Sequence, residues 1–514
     1  MIAFPDPGDP QRRPVTAPPG PRPAERRTFT VEDPATRTPI AEVPDLGATE
    51  ATLAAGRAHA AFPAWAATAP RHRSDVLRRA FELMLRDRER LAALIAHENG
   101  KSLADAGAEV GYAAEFLRWF SEEAVRPGGD YGESPAGGTR TIVRHVPVGV
   151  AALVTPWNFP AAMATRKIAP ALAAGCTAVL KPAAETPLTA LAIGDLLAEA
   201  GLPDGALGIV TTTDPAAVVG AWLADPRVRK LSFTGSTGVG RRLLRQAADR
   251  VVNASMELGG NAPFVVTEDA DLDAAVSGAL TAKFRNGGQA CTAANRFYVH
   301  SRVAFDFVAR FGAAVGGLTV GPAVEGAAIG PLISEAAVRR VSAAVEKAVR
   351  EGARISHRAA VPEAPGYFFP PTVLADVPPG AAILREEVFG PVAPIVVWTD
   401  ERDLLRQVND TEYGLAAYVY AGDLGRALRL GERIEAGMVG INRGVVSDPS
   451  APFGGVQQSG LGREGARAGL RAFQEPQYLS VDWLGVDRLG VDRLGVDWPA
   501  PDDPSSAGRK LPAV

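Results

Sequence analysis

VRKLSFTGSTGVGRRLLRQAADRVVNASMEL, residues 228–258, is the stretch on which the fold turns. An apolar run ending at Phe233 meets a turn of small residues, Gly235, Ser236 and Gly238. A segment with Val239, Leu243, Leu244 and Ala247 at helical spacing follows, then a second strand-like run, VVNASMEL. Strand, helix and strand joined so tightly form a crossover unit, which sets the two strands parallel. The pattern repeats upstream: GVAALVTPW (149–157) reads as a buried strand, GALGIVT (205–211) as another, and PAAVVGAWLA (215–224) as a helix. TPLTALAIGDLLAEAG (186–201) reads as a helix with Thr186 at the N-cap, Pro187 at N1 and Gly201 past its end. A second alternating block runs from 258 to about 458. Such alternation predicts an α/β architecture of doubly wound parallel sheets, with a ligand crevice beyond the carboxyl ends of the strands. TPW, TGSTG and MELGG all fall at such ends.

The remaining segments differ in texture. Residues 1–26 are rich in proline and arginine and are expected to be disordered. From Thr49 to Ser121 the pattern is helical, and SDVLRRAFELMLRDRERLAALIAHENG predicts one helix capped by Ser74 and stopped at Gly100. RPGGDYGESPAGGTRTIVRHVPVG (126–149) predicts an exposed strand or hairpin. From Val481 the unit VD(W/R)LG recurs every five residues, a low-complexity tail too short in period for a solenoid.

With 514 residues, 46% hydrophobic and 22% charged, the chain is ample for a multi-domain globular protein. A net charge of −4 leaves no basic footprint for nucleic acid. No apolar run is long enough to span a membrane, and the N-terminus lacks the apolar core of a signal peptide. Two cysteines cannot build a disulfide framework, which points to a reducing, cytoplasmic setting. No group of His, Cys and carboxylates has metal-ligand spacing, so no metal is expected.

Two glycine-rich runs carry chemistry: MELGG with Glu257, and FRNGGQACTAAN with Cys291. A lone cysteine is often just a small buried hydrophobe. That reading suits Cys176 in ALAAGCTAVL, whereas the polar, turn-forming neighbours of Cys291 point to function. A thiol and a carboxylate are the minimum kit for forming and then hydrolysing a thioester. FTGSTGVG (233–240) places Gly235, Ser236 and Gly240 at a strand-to-helix turn able to receive a phosphate, although it is not a GxGxxG fingerprint. VLKPAAETP (179–187) ends a second strand with Lys181, in a chain with only seven lysines. Two such turns in one parallel sheet favour a nucleotide crevice.

TPWNFP (155–160), KPAAETP (181–187), FTGSTGVG (233–240), MELGGNAPF (256–264), GGQACTAANR (287–296), EEVFGPV (386–392) and PFGGVQQSGLGREG (452–465) together resemble the aldehyde dehydrogenase superfamily, in family order over about residues 28–484. The resemblance implies an aldehyde dehydrogenase-like fold of two doubly wound parallel-sheet domains plus a β-strand oligomerisation arm. The cofactor-binding domain is expected at 27–125 and 148–257, the catalytic domain at 258–458, the arm at 126–147 and 474–484, and the tail at 485–514. It implies a homodimer or homotetramer.

It further implies Cys291 as nucleophile, Glu257 as the base for the deacylating water, and Asn158 as oxyanion donor beside the Cys291 N–H. Thr155, Trp157, Lys181, Ala184, Gly235, Ser236, Gly240, Glu387 and Phe389 are expected to line the NADP or NAD site. Among such enzymes the chain is most similar to succinate-semialdehyde dehydrogenases, which implies that Arg166, Arg285, Ser447 and Phe453 hold the substrate and its distal carboxylate. Glutarate semialdehyde, one methylene longer, is the alternative, because a methylene discriminates by only about 1–3 kcal/mol. Ala293 stands where relatives often carry a second cysteine, so no redox switch is expected there. Ala184 stands where NAD-preferring relatives carry Glu, so NADP is expected to serve at least as well as NAD. A CoA-acylating relative would not need Glu257, a non-catalytic one would be free to lose Cys291, Glu257 and Asn158, and no histidine motif near Cys291 supports a Cys–His hydrolase.

Overall fold

The computed structural model describes residues 27–126 and 128–482. The expected tails at 1–26 and 485–514, and nearly all of the pentapeptide repeat, lie outside the described residues. The described residues form two compact units, one comprising 27–126 with 147–475, the other 128–146 with 476–482.

In the first unit the crossover pattern becomes two sheets. Strands β1 (Val150–Val154), β2 (Thr177–Lys181), β3 (Leu207–Ile209), β4 (Val228–Thr234) and β5 (Asn253–Glu257) are parallel in the order β5-β4-β1-β2-β3, with Gly460–Leu461 pairing antiparallel on the β5 edge. Because β2 lies on one side of β1 and β4 on the other, the winding reverses between β1 and β4. The segments following these strands, 155–158 and 234–236, therefore flank the crevice that such a reversal opens. A second sheet holds β6 (Ala262–Val266), β7 (Ala294–His300), β8 (Arg354–Arg358), β9 (Thr372–Ala375), β10 (Val392–Trp398), β11 (Ala416–Tyr420) and β12 (Met438–Ile441), in the order β8-β9-β10-β7-β6-β11-β12. Only β8 pairs antiparallel in it.

Four helices of this unit carry site residues: α1 (Leu103–Ala124), α2 (Pro160–Ala174), α3 (Thr237–Ala248) and α4 (Leu272–Phe284). Every residue of α2 is buried, including Arg166 and Lys167. An element buried on all sides reads as a continuous apolar run, and its two charges need internal partners.

One cap expectation is corrected, and the other, Thr186 at the N-cap with Pro187 at N1, holds in position. The predicted single helix from Ser74 is two helices, Pro70–Arg86 and Arg88–Asn99, broken at Asp87. Proline at N1, with its preset φ and no N–H to satisfy, moves the N-cap from Ser74 to Ala69, five residues early, and leaves Ser74 buried inside the helix. Gly100, at φ 86°, does stop the second. Thr186 precedes the helix Pro187–Glu199, but its hydroxyl donates to the Trp157 carbonyl (3.3 Å) and makes no cap bond.

The second unit holds most of a three-stranded sheet, in which Thr139–Pro147 lies between Gly129–Glu133, its antiparallel partner, and Gln474–Asp482. The exposed hairpin read from the sequence is its core, and Tyr131 (66% exposed) and Tyr478 (59%) project from it into solvent.

Trp222, fully buried, anchors the helix Pro215–Ala224 by donating from its indole to the Ala51 carbonyl at 2.9 Å. Trp222→Ala is expected to lower unfolding free energy by about 3–5 kcal/mol, seen as an earlier guanidinium midpoint at unchanged m-value.

Candidate active site

The thiol sits in a loop that the backbone holds under constraint. After α4 the residues Asn286, Gly287 and Gly288 run through φ values of 52°, 61° and 74°. Such a left-handed run favours glycine and asparagine, and a Cβ on Gly288 would strike the Gly390 carbonyl. The loop is pinned by its polar groups. The Asn286 N–H donates to Asp105 Oδ2 (2.8 Å), and its side-chain amide donates to the Asn158 carbonyl (2.7 Å). The Asn158 amide donates in turn to the Gln289 carbonyl (3.0 Å), so the two ends of the site are laced together.

Two cavities meet at Cys291. The larger, 270 Å³, runs along the carboxyl ends of β1 and β4 and is lined by Trp157, Asn158, Gly235, Ser236, Glu387 and Phe389. The smaller, 70 Å³, is lined by Tyr112, Arg166, Arg285, Ser447 and Phe453. Most of the sequence-predicted residues thus fall into two groups that share Cys291.

The larger cavity has features suited to the phosphates of a nucleotide. Gly235 lets the chain turn where a Cβ would meet the Phe233 ring at 2.5 Å, and Ser236 precedes α3 with no side-chain cap bond and no acidic residue in the helix's first turn. That leaves a helix N-terminus suited to an anion. The Thr234 hydroxyl beside it is buried without a partner, a polar group awaiting one. Trp157 and Phe389 meet edge to face with centroids 5.5 Å apart, forming an apolar wall. Glu387 accepts from the Gly260 N–H (3.1 Å), and burial pushes its carboxyl up to about 7.

Lys181, Ala184, Thr155 and Gly240 line neither cavity. Lys181 ends β2 and donates to the Pro182 carbonyl (2.8 Å), with burial pulling its ammonium down to about 8 against the charge of Glu185. The Thr155 N–H bonds the Lys181 carbonyl (3.1 Å), tying the two strand ends together. Gly240 lies in the first turn of α3, where a Cβ would overlap Leu258.

Glu257 ends β5, and its carbonyl accepts from the Gly235 N–H (3.0 Å). Both its carboxylate oxygens are buried without a hydrogen-bond partner, and a Cβ on Gly454 would approach one at 2.8 Å. Burial and the neighbouring Glu464 push its carboxyl well above the usual range, with Arg166 and Lys167 opposing. Glu464 shows the reverse balance. Burial raises it, yet Lys167 and Arg166 together overcome that and hold it below its ordinary value. Lys167 donates to one Glu464 oxygen, while Arg166 Nε faces the other at 2.5 Å without hydrogen-bond alignment. Two adjacent carboxyls are thereby driven in opposite directions, the pattern that separates a proton acceptor from a fixed counter-ion.

The two arginines of the smaller cavity are braced on aromatic faces, Arg166 over Phe453 (4.0 Å) and Arg285 over Phe159 (5.2 Å). Rigid guanidinium groups there suit a carboxylate. Burial pushes the Cys291 thiol up to about 12, with Arg166 opposing.

Several residues escaped the sequence reading. Glu464, inside a quoted motif, and Lys167, outside all of them, acquire meaning only as partners across 297 residues. Tyr112 and the buried pair Lys101–Glu109 lie in ordinary helical sequence with no local signal.

A model of the aldehyde dehydrogenase family matches residues 22–479. The succinate-semialdehyde dehydrogenase of Paenarthrobacter nicotinovorans is 52% identical over 433 residues, 84% of this chain and 96% of that one. The NADP(+) succinate-semialdehyde dehydrogenase of Escherichia coli is 49% identical (88% and 94% covered), and the glutarate-semialdehyde dehydrogenase of Pseudomonas aeruginosa 48% (88% and 94%). The crystal structure of succinate-semialdehyde dehydrogenase from Burkholderia pseudomallei superposes with a TM-score of 0.87 at 48% identity, covering 89% of this chain and 95% of that one.

In the cofactor-free protein, alkylation of Cys291 by iodoacetamide is expected to rise about tenfold per pH unit from about pH 7 to about pH 10. Because its pKa is raised, the thiolate fraction keeps growing where an ordinary thiol has levelled off. Mass spectrometry of the modified peptide reads this, and a plateau below about pH 9 contradicts it.

Proposed function

The chain belongs to the aldehyde dehydrogenase family, and on that premise we propose that it oxidises succinate semialdehyde to succinate with NADP or NAD. The observation that carries this reading is the meeting, at a single thiol, of a cavity bordered by the uncapped N-terminus of α3 and a small, doubly arginine-lined one.

In this reading Cys291 Sγ, once deprotonated, adds to the aldehyde carbon. The new oxyanion is met by the Asn158 amide and the Cys291 N–H, each worth about 3–4 kcal/mol by analogy with other oxyanion holes. NADP or NAD bound along Trp157, Gly235, Ser236, Glu387 and Phe389 supplies the hydride acceptor. Lys181, Thr155, Ala184 and Gly240 shape its adenosine end. The acyl group is then held on Cys291 as a thioester. Glu257, desolvated and with both oxygens unpartnered, takes the proton of the attacking water, its raised pKa matching it to work near neutral pH. Arg166, Arg285 and Ser447 bind the distal carboxylate, with Phe453 under the guanidinium of Arg166. Glutarate semialdehyde, one methylene longer, is the alternative substrate of the same cavity.

Ala184 removes a carboxylate that would repel a 2′-phosphate, so NADP is used at least comparably to NAD. The exposed Tyr131 and Tyr478 of the three-stranded sheet support its role as an oligomerisation arm in a homodimer or homotetramer. The absence of any disulfide between the two free cysteines fits the cytoplasm.

NAD(P)H release over aldehydes with and without a terminal carboxylate tests the reading. The carboxylated C4 aldehyde is expected to lead, and equal turnover of uncharged aldehydes overturns the assignment. Cys291→Ala abolishes turnover, and Arg285→Ala raises KM about tenfold or more for carboxylated aldehydes alone. Glu257→Gln is expected to release one NAD(P)H per site in a burst and then stall, seen by stopped-flow absorbance.

A further inference from the structure

Tyr112 lies on α1, one turn beyond Glu109, with its ring edge-on to Phe116 (centroids 4.9 Å apart). The ring borders the smaller cavity, and the hydroxyl oxygen, shut off from solvent, makes no aligned hydrogen bond, although Arg166 and Ser447 lie close enough to interact with it. Buried hydroxyls are normally paired, and leaving one unmade costs free energy that a ligand would recover. Around that hydroxyl stand Arg166, Arg285 and Ser447.

Arg166 is already partly committed. Its Nε faces Glu464 at 2.5 Å and its Nη2 contacts Met163 Sδ at 3.1 Å. The side of the guanidinium that usually grips a carboxylate through Nε is therefore occupied, and one fork cannot satisfy both oxygens of an incoming anion. A neutral donor placed opposite supplies what the fork lacks.

We propose that the Tyr112 hydroxyl donates a hydrogen bond to the terminal carboxylate of the substrate, making Tyr112 a specificity-determining residue beside Arg166, Arg285 and Ser447. This rests on the carboxylated-aldehyde reading of the site. Burial pushes the phenol above its ordinary value, with Arg166 opposing, so it stays protonated and a donor throughout the working pH range. A phenol adds direction without adding charge, so it rewards an anion of the right length more than any anion nearby.

The test compares wild type with Tyr112→Phe on succinate semialdehyde and on butanal, the chain of equal length without a carboxylate. Tyr112→Phe keeps the ring packing against Phe116, and an unchanged Tm confirms the fold. The expected result is a KM for succinate semialdehyde raised about ten-fold with kcat within about two-fold, butanal kinetics unchanged, and product inhibition by succinate weakened by a similar factor. If wild type prefers succinate semialdehyde and Tyr112→Phe keeps that preference within about two-fold, the role of Tyr112 is wrong while the carboxylate reading stands. If wild type turns over both aldehydes alike, the carboxylate reading fails and the role of Tyr112 with it. Equal losses on both substrates also overturn it, because they mark a packing role.

Discussion

The buried ion pair between Lys101 and Glu109 is the constraint on which the site depends. Both side chains are fully buried, and neither leaves its capacity unmet. Lys101 Nζ donates to Glu109 Oε2 and to the Asn158 carbonyl (2.8 Å), and lies 4.1 Å over the Phe159 ring. The other Glu109 oxygen accepts from the Ala161 and Ala162 N–H groups at the start of α2 (2.8 and 3.2 Å). One pair thus fixes the peptide of the candidate oxyanion donor, the entry of α2, and the ring beneath Arg285. Buried pairs of this kind gain little over an apolar replacement, yet removing one partner costs about 3–5 kcal/mol, because an uncompensated charge is left inside. Its worth here is positional.

From that anchor α2 carries its two cations inward without water. Arg166 and Lys167 are adjacent in sequence and share one carboxylate, Glu464, whose two oxygens face one each. Lys167 also donates to the Ser232 hydroxyl (3.0 Å) on β4. This leaves Glu257 as the carboxyl in the cluster without a hydrogen-bond partner, beside the glycine at 454 that gives it room. A carboxylate held by cations is a poor base, and a desolvated one is a better base at neutral pH. The difference between Glu257 and Glu464 is therefore one of neighbours, since the residue type is the same.

Catalytic order at the thiol follows a similar logic. The left-handed run 286–288 aims the loop so that Cys291 borders both cavities, and the surrounding burial keeps the sulfur protonated until charge is supplied. A resting thiol of this kind resists oxidation, which suits a site whose neighbour at 293 is alanine rather than a second cysteine.

The sequence by itself determined the crossover architecture, the glycine turn at Gly235 and Ser236, and the family, because these rest on local periodicity and on motifs read in order. It also marked Cys291 and Glu257 by their glycine-rich surroundings, and Asn158 through the family resemblance. It misjudged caps where two start signals competed, as at Pro70 and Ser74, since a fixed proline φ outweighs a serine hydroxyl. Only the tertiary structure decided that Arg166 shares Glu464 with Lys167, that Lys101 grips the Asn158 peptide, and that Tyr112 lies buried beside two arginines. Charge partnership and desolvation depend on residues as much as 297 positions apart, and no local pattern encodes which buried group will find a partner and which will be left without one.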